Sequence, residues 1–181
     1  MNGVKKMTVS SKVIEKNNLV IEYFNSLPDV KAEKNGELSG VISIENHPPL
    51  STVNYRYKAK GRLWTKDYDL VYSVSLNSKF SNGEIQFKNN KFVAKCSDND
   101  ILNLVNELNN NSKLGDILRR NDIIYLRVRI NGGIAEIELI LMTFGITKML
   151  IPPLTHMIKP VGKECIDAFQ ILQVLSFYFK M

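Results

Sequence analysis

The sequence predicts an α+β fold, with an antiparallel sheet of about seven strands built from hairpins, helices packed on one face, and a long C-terminal helix. Three observations carry that reading. First, Ile124, Leu126, Val128 and Ile130 alternate with Ile123, Tyr125, Arg127 and Arg129, and after Asn131-Gly132-Gly133 the residues Ala135, Ile137, Leu139 and Leu141 alternate with Ile134, Glu136, Glu138 and Ile140. This is the period of two strands around a turn whose residues tolerate positive φ. With Gly132-Gly133 as the loop, Arg129 faces Glu136 and Arg127 faces Glu138; a turn at Asn131-Gly132 keeps the same faces and sets Arg127 opposite Glu136. Second, residues 51–77 read as a longer hairpin whose apolar and polar faces align when the chain turns at Thr65-Lys66, so that Leu63 meets Tyr68 and Arg62 meets Asp69. Third, apolar residues recur at helical spacing in three segments near residues 10–27, 98–108 and 161–180.

Taken in order, Ser10 and Ser11 can cap a first helix that Pro28 stops. Its stripe is Val13, Ile14, Val20, Ile21, Phe24 and Leu27, with Asn17 inside it, an amide that must find hydrogen bonds if buried. Residues 37–45 follow the turn-like Lys34-Asn35-Gly36 as a strand ended by Asn46-His47-Pro48-Pro49. The 51–77 hairpin comes next, and residues 84–96 form a third hairpin around Asn89-Asn90, pairing Phe87 with Phe92, Ile85 with Ala94 and Glu84 with Lys95. Ser97 and Asp98 start a second helix bearing Ile101, Leu104, Val105 and Leu108, and a short amphipathic piece with Leu114, Ile117 and Leu118 leads into the 122–144 hairpin. Residues 146–160 are apolar but hold three prolines and little periodicity, which reads as a loop packed on the core or offered to a partner. The last helix carries Cys165, Ala168, Phe169, Leu172, Leu175 and Phe179 on one stripe and turns apolar on its reverse side at Val174, Phe177 and Tyr178.

No linker, repeat or low-complexity tract divides residues 1–181, so one domain is expected. The net charge of +6 permits a polyanionic partner without requiring one. Two cysteines without ligand spacing make neither a disulfide framework nor a zinc site, and with no apolar run after the N-terminal lysines the reading is a soluble, cytoplasmic chain with no membrane partner.

Catalysis has no positive signal. His156 and Cys165 are the one pairing open to thiolate–imidazole chemistry, but Cys165 sits on an apolar helical stripe, and Glu136 and Glu138 are answered by Arg127 and Arg129. No cofactor or metal is implied, and a non-enzyme is favoured. The leading expectation is an apolar groove between the sheet, the 144–160 loop and the C-terminal helix, lined by Tyr55, Tyr57, Tyr68, Tyr72, Met149, Met157, Phe177 and Tyr178. Three readings fit it: plain closure of the core, a homodimer, or a small apolar molecule. The alternative is a nucleic-acid or other polyanion surface on the strand face of Arg56, Lys58, Lys60 and Arg62, with Trp64 at its edge for stacking.

Overall fold

The computed structural model describes residues 11–45, 49–61, 65–142, 145–149, 155–157 and 162–180. The helices are α1 (Ser11–Asn25), α2 (Asn99–Asn110), α3 (Ser112–Arg119) and α4 (Gly162–Phe179). The strands are β1 (Val30–Gly36), β2 (Ser39–Ile44), β3 (Thr52–Gly61), β4 (Thr65–Asn77), β5 (Gly83–Lys88), β6 (Lys91–Ala94), β7 (Ile123–Asn131), β8 (Ile134–Leu141), β9 (Ile146–Met149) and β10 (Thr155–Met157). Every pairing is antiparallel, as a chain of hairpins dictates. Eight strands run in the order β1-β2-β3-β4-β8-β7-β5-β6. Strand β9 continues past β8 along β4, and β10 pairs with β9. The α+β class, the hairpin construction and the C-terminal helix on the sheet are as the sequence implies.

The β7–β8 turn is the expected one. Gly132 and Gly133 have φ of +57° and +78°, and Arg127 pairs with Glu138 across the strands at 3.0 Å. The β5–β6 register also holds, with Phe87 opposite Phe92 and Lys95 bonded to Glu84 at 3.3 Å. Three points differ. In the β3–β4 hairpin Tyr68 meets Ala59 rather than Leu63, a slide of four residues that sets Tyr55 opposite Tyr72 and Lys58 opposite Asp69. An even slide keeps every side chain on its face, so facial alternation alone could not choose between the registers. An irregularity between Ile123 and Tyr125 turns Ile124 out of the apolar row and exposes it. Finally, the stretch expected as a loop contributes β9 and β10, and β1 precedes the first expected strand.

All four helices lie on one face. Helix α1 contacts β1, α2 contacts β6, and α4 contacts β4, β8 and α3. Between them Val20, Phe24, Tyr55, Tyr72, Leu139, Leu172 and Leu175 are fully buried. The exposed edges of the sheet are closed by one device used twice. At the end of α1, Asn25 accepts from Ala32 N–H at 2.6 Å and donates to Ala32 C=O at 3.1 Å. In α2, Asn109 does the same to Phe92, at 2.7 and 3.0 Å. Each carboxamide occupies the backbone donor and acceptor of a terminal strand, β1 or β6, as an added strand would, and so blunts that edge.

Candidate functional site

Three places merit weighing: the buried tyrosines, a groove beside α4, and the face of the sheet without helices.

The strand period directs Tyr55 and Tyr57 of β3 and Tyr68 and Tyr72 of β4 toward the helices, and all four are buried. Burial pushes the phenol of Tyr55 up to about 12 and those of Tyr57 and Tyr72 higher, with the neighbouring phenols and Cys165 adding to the effect at Tyr57 and Tyr72. These phenols are therefore neutral at physiological pH. The Tyr55 hydroxyl lies over Gly40, where a Cβ would meet it and the Glu33 carbonyl and would sit 2.6 Å from Tyr55 Cε1. Phe24 stands between Tyr72 and Phe169, edge-on to both at 6.3 and 5.0 Å. Asn17 is buried and donates to Glu37 C=O at 3.3 Å. Beside it Lys16, unexpected in a core, is fully buried, and its Nζ donates to Gly145 C=O at 2.9 Å where β8 gives way to β9. Desolvation lowers the Lys16 amine from its ordinary 10.5 to about 8.

Of the residues expected to form one apolar groove, the structure brings Tyr55, Tyr57 and Tyr72 together as core. Tyr68 is flanked by the Lys66 ammonium, 5.3 Å from its ring centre. Met149 and Met157 fall in β9 and β10, opposite Thr65 and Ile146 respectively. At the far end of α4, Tyr178 accepts a hydrogen bond from Asn111 Nδ2 at 3.2 Å, and Phe177 is 73% exposed. Among the described residues, neither Phe177 nor Tyr178 lines any of the principal cavities. His156 is exposed on β10 while Cys165 is fully buried on α4.

A different apolar groove exists, also between the sheet and α4. Pro28 ends α1, and Asp29, with φ of +59°, turns the chain into β1. That turn leaves Leu27, Pro28 and Val30 on one wall, Ile44 and Leu50 on the floor, and Ile166 and Phe169 of α4 opposite. The groove measures about 310 Å³, and among the described residues its only polar lining comes from Gln170 and Gln173. Ile166 is 42% exposed. The sequence held one signal for it: Ile166 is a large aliphatic residue off the buried stripe of α4.

The helix-free face carries Arg56, Lys58 and Lys60 as the two-residue period requires, whereas Arg62 and Trp64 lie outside the described residues. All three are exposed, and two of them have acidic neighbours. Glu138 is shared by Arg127 at 3.0 Å and Arg56 at 3.8 Å, and Lys60 meets Asp69 at 2.5 Å. Between the columns of charge is a concavity of about 460 Å³ with Val71 and Ile140, partners across β4 and β8, at its base. Among the described residues no three His, Cys, Asp or Glu side chains come together as a metal-ligand set, and no helix is long and apolar enough to cross a membrane.

No curated protein and no solved structure matches the chain. A family model described as "Protein of unknown function (DUF3156)" matches residues 25–178, a span from the last residue of α1 almost to the end of α4 that takes in the whole sheet, the apolar groove and the charged face. By that match, over well more than half its length, the chain belongs to the DUF3156 family.

Proposed function

We propose that this chain is a non-catalytic binding protein that holds a small apolar molecule in the groove between the end of α1, the β1–β2 edge and α4. The observation that carries the reading is the lining: among the described residues, seven apolar side chains and two carboxamides, with no charged group. Ligand sites are typically concave, mostly apolar and equipped with a few polar groups that fix orientation, in volumes from about 300 Å³ upward. Gln170 and Gln173 offer both donors and acceptors, which suits a neutral hydroxyl, amide or ester better than a carboxylate lacking a cation. Burying about 200 Å² of apolar ligand surface would contribute about 5 kcal/mol before the cost of immobilisation.

The test combines native and denaturing mass spectra with a titration of lauryl alcohol. Retained mass lost on denaturation, or saturable binding of the alcohol that Ile166→Glu weakens at least about tenfold, supports the reading. Binding unaffected by Ile166→Glu overturns it. So does a clean dimer mass that Ile166→Glu converts to monomer, because the same apolar surface would then serve self-association.

A further inference from the structure

We infer that the helix-free face of the sheet holds a second, separate site, for a small organic anion with a flat apolar body such as an aromatic carboxylate or sulfonate. The floor of the 460 Å³ concavity is the cross-strand pair Val71 and Ile140, both buried although none of the described helices lies on this side. Its wall includes Tyr125, and Ile124 joins it because the β7 irregularity turns that side chain outward. Apolar side chains in the middle of a charged sheet face offer a seat for an apolar plane, and Tyr125 adds a ring against which a second ring can pack.

The rim supplies the sign. Arg56, Lys58, Lys60 and Arg127 surround that floor, and the carboxylates they contact are Glu138, shared by two guanidiniums, and Asp69, held by Lys60. Among the described residues that line the concavity itself there are four cations and one carboxylate, Glu138, with Asp67, Asp69 and Glu84 set farther out beside Lys60 and Arg127. An entering anion gains charge-assisted hydrogen bonds from a planar guanidinium that Glu138 satisfies only in part. The same arrangement argues against a nucleic-acid strand. A phosphate backbone needs an unbroken basic track, and here the acidic columns of β4 and β8 lie between the basic columns of β3 and β7. One anionic group over an apolar base is what the spacing accommodates.

The experiment titrates the full chain with naphthoate, with naphthalenemethanol as the neutral counterpart and acetate as the counterpart without a ring, followed by methyl NMR. Naphthoate should shift the Val71 and Ile140 methyl signals and bind at least about tenfold more tightly than either counterpart. Lys58→Glu, at an exposed position, should cost about tenfold in naphthoate affinity with the chain still folded at the assay temperature, and Tyr125→Ala should weaken naphthoate while leaving acetate as it was. Several outcomes would overturn the inference. They are no naphthoate binding at millimolar concentration, equal affinity for naphthalenemethanol, shifts confined to Ile166 and its neighbours, or indifference to Lys58→Glu. Tighter binding of a thymidine homopolymer, with a salt slope of several phosphates, would return the face to nucleic acid.

Discussion

Lys16 is the sharpest place to test the packing of this fold. Replacing it with methionine keeps an unbranched stem of similar length and removes the ammonium. In the unfolded chain the amine holds its proton to about pH 10.5; folded, desolvation lowers that to about 8. Below pH 8 both states are protonated and the full cost of burying the charge is present. Between pH 8 and 10.5 the unfolded chain binds more protons, so stability climbs as pH rises. The difference corresponds to about 3 kcal/mol at most, at 1.36 kcal/mol for each unit of pKa. Against this, methionine leaves Gly145 C=O without the Lys16 bond, a loss of about 1 kcal/mol at every pH. Lys16→Met should therefore be about 2 kcal/mol more stable than the parent near neutral pH and still about 1 kcal/mol more stable at pH 9, with the curves crossing close to pH 10 and the variant up to about 1 kcal/mol less stable above pH 10.5. Paired urea denaturations from pH 7 to 10 measure it, and subtracting the two curves cancels the tyrosines, which titrate in both proteins. A difference that stays flat across that range would refute a desolvated ammonium. A variant uniformly less stable by several kcal/mol would show that the hydrogen bond, not the charge, dominates.

Other consequences follow from single contacts. Gly40→Ala should cost about 1–3 kcal/mol in urea denaturation, because the added methyl collides with the Tyr55 ring and the Glu33 carbonyl, both fixed in the sheet. Asn25→Ala and Asn109→Ala should each cost about 1–3 kcal/mol and raise the aggregation rate measured by light scattering, since each unmasks the donor and acceptor of an edge strand. Asp167 is 2% exposed, accepts from Arg120 Nε at 2.7 Å, and also bonds Asn121. Burial disfavours its charge, but the bonds from Arg120 and Asn121 outweigh it and hold the carboxyl below its ordinary 3.8. Its folded pKa being the lower, its contribution is complete above pH 3.8 and fades as acid carries the pH down through the folded value. Asp167→Ala should cost about 1–3 kcal/mol near neutrality, through the lost hydrogen bonds from Arg120 and Asn121, and blunt that acid limb in a pH-resolved melt.

Much of the architecture was legible because it is local. The β7–β8 hairpin is specified by alternation on both sides of a turn that only a few residue types make well, and α1 by a stripe that a proline terminates. What escaped was non-local or disguised. Strand β1 holds only Val30 and Ala32 as apolar residues because an edge strand packs on one neighbour, so its alternation is faint. Strands β9 and β10 are short and set among prolines. A lysine inside an amphipathic helix reads as solvent-facing, and nothing near residue 16 announces a bare carbonyl at residue 145, more than a hundred residues on. Likewise Asn109 looks like part of a polar run that ends a helix, yet it closes a sheet edge.

The candidate sites were harder to read for a related physical reason. The tyrosines drew attention because a row of phenols on an inward face suggests a polar-lined pocket, but α1 and α4 press Phe24 and Phe169 against that row and make it core. The groove that remains is assembled from residues 27–30, 44–50 and 166–173, none of which carries a pattern beyond ordinary hydrophobicity. On the other face the basic column of β3 was plain, and its meaning depended on which strands lie next to it. With β8 inserted between β4 and β7, carboxylates come within reach of both basic columns, and the face sets charged side chains around two aliphatic ones. Strand order, which the sequence leaves open, decides which charges stand beside the basic column of β3.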